Sequence, residues 1–288
     1  MGDDSLIQPL ELLHEVDGLP SFDLPPELER LYGGALGFDE HRVYANFVST
    51  LDGVVSIPAI PSSNALINAG SRADHFVMGL LRALADVVLI GSGVMRASPR
   101  GTWRPEKVYP PAGDAFAELR RILGRSESPE IAILTGRGSI DPAHPVLESG
   151  AVVLTSETGA GRLEGALPSA STIVPLGDEI AIDPSVVVDT LHERGHRLIL
   201  CEAGPHTFGS LVAGGVVDEL FLTVSPLLAG EAERGSRLRL VQAADLVPLV
   251  PLRPLSIRRH EAHLFLRYEL SASRRKYGRD SPARTEQG

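Results

Sequence analysis

Apolar positions along this chain follow two rhythms, one of strands and one of helices, and the switches between them mark the elements. Arg42-Val43-Tyr44-Ala45-Asn46-Phe47-Val48-Ser49 is rich in β-formers and ends at Asp52-Gly53, a strong turn signal. Helical spacing follows, with Leu80, Leu81 and Leu84 on one face and Ser71 placed as an N-cap, which predicts a helix reaching Ala85. Asp86 to Ile90 is a continuous apolar strand. Further on, 114–123 reads as a helix, and 131–135, 151–155 and 171–175 read as strands. Residues 184–194 form a helix with proline near its start and Gly195 at its stop. Upstream, Pro25 to Tyr32 fits a short helix with proline in its first turn.

The stretch from Leu198 to Gly230 organises the rest. A buried strand, Leu198 to Cys201, turns through Glu202-Ala203-Gly204-Pro205 into a small-residue helix, 206–213, stopped by Gly214 and Gly215. A strand at 219–224 follows. Strands that are apolar throughout and alternate with helices predict a largely parallel sheet covered on both faces. The last segments, 220–224, 255–259 and 263–269, have no helices between them, so an antiparallel edge is expected. The fold class is therefore α/β. Residues 1–40 read as an N-terminal arm on the main domain, 41–271 as that domain, and 272–288, with Arg274-Arg275-Lys276, as a disordered basic tail.

Composition narrows the function. With 43% hydrophobic residues, 288 residues can bury a substantial core, and a net charge of −10 argues against a nucleic-acid binder. A lone cysteine, Cys201, excludes a disulfide framework and fits a reducing compartment. No membrane-spanning run or signal pattern is found, so a cytoplasmic protein is expected. Lysine occurs only at Lys107 and Lys276, so an anion site must rely on arginine and backbone N–H groups. No P-loop and no G-x-S-x-G elbow exists. His192-Glu193-Arg194-Gly195-His196 spells a zinc-protease pattern, but Gly195 stops the helix and should keep the two histidines off one face, so no metal site is expected.

The candidate chemistry lies in glycine turns after strands. Gly91-Ser92-Gly93 follows one strand and Gly204-Pro205 another, and a parallel sheet places both at carboxyl ends, where ligands bind in open α/β sheets. Backbone there can approach a dinucleotide closely.

Together, Thr50-Leu51-Asp52-Gly53, Gly91-Ser92-Gly93-Val94, Cys201-Glu202-Ala203-Gly204-Pro205, Gly215-Val216-Val217-Asp218-Glu219-Leu220 and Ser225-Pro226-Leu227-Leu228-Ala229-Gly230 make residues 42–270 resemble the reductase domain of the bifunctional riboflavin-biosynthesis deaminase–reductases. The resemblance implies a dihydrofolate-reductase-like three-layer fold with a mostly parallel central sheet, NADPH as cofactor and a homodimer. It also implies hydride transfer to C1′ of a ribosylamino-pyrimidine phosphate. Carried across, Thr50, Gly91, Ser92, Gly93, Val94, Gly204, Pro205, His206 and Thr207 line the NADPH site. Thr135, Gly136 and Arg137 receive its adenosine ribose, and an arginine there can meet a 2′-phosphate bidentately. Asp52 and Glu202 border the substrate as catalytic candidates. Asn46, Ser49, Arg96 and Arg104 bind it, with Arg104 foremost for its phosphate. Asn46 stands where the family has lysine, and Ala97-Ser98-Pro99 where it has Asp-Asp-Pro. The zinc-binding deaminase half is absent. This leaves open a reductase of a pterin or dihydrofolate-like heterocycle, or a dinucleotide-binding protein without catalysis.

Overall fold

The computed structural model describes residues 5–60, 62–231 and 233–270, so the expected tail at 272–288 lies outside the described residues. In chain order the elements are β1 (Glu11–Glu15), α1 (Pro26–Tyr32), β2 (Arg42–Thr50), β3 (Val54–Ser56), α2 (Asn64–Ile67), α3 (Arg72–Leu84), β4 (Val87–Gly91), α4 (Ser92–Ala97), α5 (Pro105–Val108), α6 (Gly113–Ile122) and β5 (Glu130–Thr135). Then come α7 (Pro145–Glu148), β6 (Val152–Thr155), α8 (Glu157–Leu163), β7 (Thr172–Pro175), α9 (Pro184–Glu193), β8 (Leu198–Cys201), α10 (Pro205–Ala213), β9 (Glu219–Ser225), β10 (Leu238–Arg239), β11 (Leu252–His260) and β12 (His263–Leu270).

Ten strands form one sheet in the order β1-β11-β12-β9-β2-β8-β4-β5-β6-β7, while β3 pairs with β10 alone. From β9 to β7 all neighbours run parallel, and β12, β11 and β1 add an antiparallel edge. The parallel part with its antiparallel edge matches the α/β reading of the sequence.

Alternation along the strands splits the core into two layers. Tyr44, Val88, Ile90, Ile133, Leu198 and Leu200 face a layer built with α1, α3, α6 and α7. Val43, Ala45, Leu89, Ala132, Ile199 and Cys201 face the other, built with α9 and α10. Ser71 caps α3 by accepting from the Asp74 N–H at 3.2 Å, as its place in the sequence predicts. Asp183 does the same for α9 through the Ser185 N–H at 2.8 Å, with Pro184 in the first turn.

The N-terminal segment is joined to this body by backbone and by buried arginines. β1 pairs antiparallel with β11. Arg258, almost fully buried, donates to the Tyr32 carbonyl at 2.9 Å and to Glu15 Oε2 at 2.7 Å, and lies over the Tyr32 ring. Arg267 donates to the Gly37 carbonyl at 2.8 Å and to Glu219 Oε2 at 2.7 Å. Each guanidinium replaces its lost water with carboxylate and carbonyl acceptors, which is what lets an arginine sit in a core.

Candidate active site

β9, β2, β8 and β4 are neighbours and parallel, so the segments after them meet at one edge of the sheet. That edge gathers Thr50 to Gly53, Gly91 to Val94, Glu202 to Thr207 and Ser225 to Gly230.

Gly91 and Ser92 do not form a free turn. Gly91 ends β4 and Ser92 begins α4, so the strand runs straight into the helix. Gly204 likewise precedes α10 directly, with Pro205 in the first helical position. Neither glycine has a positive φ; at Gly91 the backbone is extended, with φ −97° and ψ 157°. Their lack of a side chain serves proximity instead. A Cβ on Gly91 would lie 3.3 Å from Thr207 Oγ1, and one on Gly204 would lie 3.4 Å from Val94 Cγ2. The two junctions therefore face each other at contact distance. His206 and Thr207, in the first turn of α10, have backbone N–H groups without intrahelical acceptors.

Asp52 is occupied structurally. Its carboxylate accepts from the Ala229 N–H at 3.1 Å, the Gly230 N–H at 2.8 Å and the Thr50 hydroxyl. These donors hold its carboxyl down at about 2, so it stays ionised at neutral pH and is a poor proton donor. Asp52 thus clasps the turn after β2 to the 227–230 segment.

Glu202 is committed too. Arg82, near the end of α3, donates Nε at 3.0 Å to Oε1 and an Nη at 2.6 Å to Oε2, and the two side chains are 10% and 8% exposed. Both carboxylate oxygens are engaged by Arg82. Arg82 was not anticipated from the sequence. The available signal was a cation among Leu80, Leu81 and Leu84 on an otherwise apolar stretch.

Asn46 sits four residues short of the end of β2, roughly 13 Å below the rim at strand spacing. It is buried and lines a small pocket with Val77, Phe221 and Thr223. Ser49 is buried as well, one residue out of phase with Thr50. Asn46 therefore lies deeper along β2 than the other candidates, while Ser49 lies next to Thr50 near the end of the strand.

Thr135 ends β5 and Gly136 follows it, and both are closely packed. The Thr135 carbonyl accepts from Thr155 Oγ1 at 2.5 Å and its hydroxyl from the Ser139 N–H at 3.2 Å. A Cβ on Gly136 would lie 2.0 Å from the Ile180 carbonyl oxygen. Arg137 beside them is exposed.

Of the two arginines proposed for the substrate phosphate, Arg96 donates to the Ser139 carbonyl at 3.3 Å. The half-buried Arg104 guanidinium makes no hydrogen bond or ion pair among the described residues.

The two histidines of the His192–His196 pattern have separate partners. His192 Nδ1 lies 2.8 Å from the His196 carbonyl, while His196 Nε2 lies 2.6 Å from Glu130 Oε2. Cys201, with its thiol pushed up to about 12 by burial, is no nucleophile. No helix among the described residues is long and apolar enough to cross a membrane.

Comparison with known proteins places this arrangement. The 2,5-diamino-6-ribosylamino-4(3H)-pyrimidinone 5′-phosphate reductase of Archaeoglobus fulgidus is 22% identical over 191 residues, covering 65% of this chain and 81% of that protein. A pyrimidine reductase-like protein from Corynebacterium diphtheriae superimposes with a TM-score of 0.64 at 20% identity, over 84% of this chain and 98% of that one. The riboflavin biosynthesis reductase Rib7 of Saccharomyces cerevisiae gives 0.54 at 14% identity, over 85% and 99%. These two structures share the fold. The model of the RibD C-terminal domain matches residues 41–260, most of the chain and all of the rim just described, and the chain belongs to that family.

Proposed function

We propose that this chain is an NADPH-dependent reductase of a ribosylamino-pyrimidine phosphate, of the 5-amino-6-(5-phosphoribosylamino)uracil type, acting in riboflavin biosynthesis. One observation carries the reading: two glycine-bearing strand-to-helix junctions, after β4 and β8, face each other at contact distance on the carboxyl edge of the sheet. A side chain at either glycine would press on the facing junction, at Thr207 Oγ1 in one case and Val94 Cγ2 in the other, and would thicken the rim over which a dinucleotide backbone has to pass.

The first turn of α10 offers the N–H groups of His206 and Thr207 and the positive end of a helix dipole to a pyrophosphate. Exposed Arg137 is the residue available for a ribose 2′-phosphate, which favours NADPH over NADH. Bound there, the cofactor supplies a hydride. In the substrate the open-chain imine C1′=N is reduced: C1′ gains the hydride, the nitrogen gains a proton, and a ribitylamino product results. The chain's contribution is orientation. Asp52 fixes the turn after β2 against the 227–230 segment, and Arg82 fixes Glu202 at the mouth of the β8–α10 junction. Because Asp52 stays ionised and both Glu202 oxygens are engaged, the proton comes from solvent.

A homodimer belongs to the same proposal. Leu222, Val224, Ile257 and Leu264 share the sheet face opposite α3 and are half-buried or exposed. A second copy covering that face accounts for four aliphatic residues left in contact with water.

Loss of NADPH absorbance with the ribosylamino-pyrimidine phosphate, with NADH run alongside, tests the reaction. Turnover with NADPH preferred is expected. Tight NADPH binding without turnover would refute the reaction and leave a dinucleotide-binding protein.

A further inference from the structure

The turn after β2 and the first turns of α10 belong to different elements, yet one stretch of chain, 238–244, holds both. At one end Leu238 and Arg239 form β10, which pairs antiparallel with β3, Leu238 opposite Ser56 and Arg239 opposite Val54. The exposed Arg239 donates through an Nη to the Asp52 carbonyl, and that nitrogen lies 3.9 Å from where a Cβ on Gly53 would stand. The Asp52 carboxylate is already bound to the N–H groups of Ala229 and Gly230, and the Leu51 N–H donates to the Leu227 carbonyl at 2.8 Å. The turn is therefore gripped by side chain and backbone from two segments.

At its other end the stretch lies on α10. The Gln242 N–H donates to the Pro205 carbonyl at 3.2 Å. A Cβ on Gly209 would stand 2.5 Å from the Gln242 carbonyl oxygen and 3.2 Å from Ala244 Cβ, so the stretch crosses α10 at a distance that only glycine permits. Between the two ends, Leu240 and Val241 pack against the core layer that holds Phe208 of α10 and Phe47 of β2, whose rings are 4.8 Å apart. Strand pairing at one end, backbone contact at the other and an apolar anchor between them make the stretch move as one piece.

We infer that 238–244 is a brace that fixes the turn after β2 relative to α10, with Arg239 as its positioning residue. Under the reductase reading, on which this role rests, the turn borders the substrate and α10 carries the dinucleotide, so the brace sets how the two reactants meet. Arg239 touches neither reactant; it acts through the Asp52 carbonyl. Hydride transfer tolerates little error in placement, and a displacement of about 1 Å slows such a step by about a hundredfold.

Two substitutions load the brace from opposite ends. Arg239→Ala removes the donor to Asp52 from an exposed side chain, where little stability is at stake. Gly209→Ala sets a methyl group against the Gln242 carbonyl oxygen, a backbone atom, and lifts the stretch off α10. Amide hydrogen exchange of the full chain without ligand, followed by NMR, reads the result. Each variant speeds exchange at its far end as well as at its near one. Arg239→Ala does so at Gln242, whose N–H binds Pro205, and Gly209→Ala at Ala229 and Gly230, whose N–H groups bind Asp52. Arg239→Lys, which keeps a donor for the Asp52 carbonyl, exchanges like wild type.

In turnover, Arg239→Ala and Gly209→Ala lower kcat about tenfold to a hundredfold and leave KM for NADPH unchanged. Both raise the deuterium isotope effect on kcat with NADPH labelled at the transferable position, because hydride transfer becomes the slower step; loss of folded protein does not change that ratio. Arg239→Lys recovers most of the rate. Exchange changes confined to the substituted end, or an unchanged kcat in Arg239→Ala, would overturn the brace. Absence of wild-type turnover would instead sink the reductase reading, and the exchange comparison, which needs no substrate, would still decide whether 238–244 ties the turn to α10.

Discussion

Replacing Arg82 by methionine separates a structural Glu202 from a catalytic one. The guanidinium and carboxylate are 10% and 8% exposed, and contacts of 3.0 Å and 2.6 Å engage both carboxylate oxygens. Neither charge has bulk water to fall back on. Removing one partner of such a buried pair leaves the other uncompensated and costs about 3–5 kcal/mol. For a chain of this size each kcal/mol lowers Tm by about 2–4 °C, so the single variant should melt roughly 6–20 °C below wild type. Glu202→Gln should fall in the same direction. The double variant Arg82→Met/Glu202→Gln should recover a coupling of about 1–3 kcal/mol, since no lone charge remains. Urea unfolding of the four proteins measures each term, and NADPH oxidation on the same samples shows what activity follows. The reasoning fails if Glu202→Gln loses less than about 1 kcal/mol while abolishing turnover, because Glu202 would then be an acid of the reaction and not the anchor of the β8–α10 junction.

Three further outcomes follow from the same geometry. Asp52 titrates low in the folded chain, at about 2 against an ordinary 3.8, so it adds stability above its unfolded value and loses it as pH falls from about 4 towards 2. Acid denaturation of wild type and Asp52→Asn should therefore differ in that window, and equal acid midpoints would refute the clasp. Gly204→Val drives a branched side chain against Val94, already at contact distance, and should weaken NADPH binding at least tenfold by fluorescence titration, the affinity ratio following from a loss of about 1.4 kcal/mol. Arg137→Gln should reduce the preference for NADPH over NADH about tenfold in kcat/KM, the scale of one charge-assisted hydrogen bond, while leaving NADH kinetics alone.

The sequence conveyed the main sheet because its signals were local. Ser71, Pro184 and Asp52-Gly53 act on the residues next to them, and the apolar runs at 86–90 and 198–201 need no partner to be read as buried strands. β1 escaped because Glu11-Leu12-Leu13-His14-Glu15 does not alternate strictly; it is a strand through its backbone pairing with β11, more than 240 residues away. The short helices α4 and α5 escaped because Gly93, Pro99 and Gly101 break any period between them.

At the candidate site, the two glycine junctions and their closeness were legible, since glycine after an apolar strand points to a place where backbone must approach. What each side chain does there was not. Arg82 and Glu202 are 120 residues apart, and nothing local announces their pairing. Asn46 lies at an identifiable strand position, but its depth below the rim depends on where the strand ends. Arg96 is engaged by the Ser139 carbonyl, a contact 43 residues away along the chain that nothing local announces.

The central claim is that hydride reaches the sugar C1′ of a ribosylamino-pyrimidine phosphate. Single-turnover reaction with NADPH deuterated at the transferable position, followed by mass spectrometry and NMR of the product, tests it most directly. The account predicts a ribitylamino product carrying one deuterium, at C1′. Deuterium on a pyrimidine ring carbon, or none in the product, would contradict it.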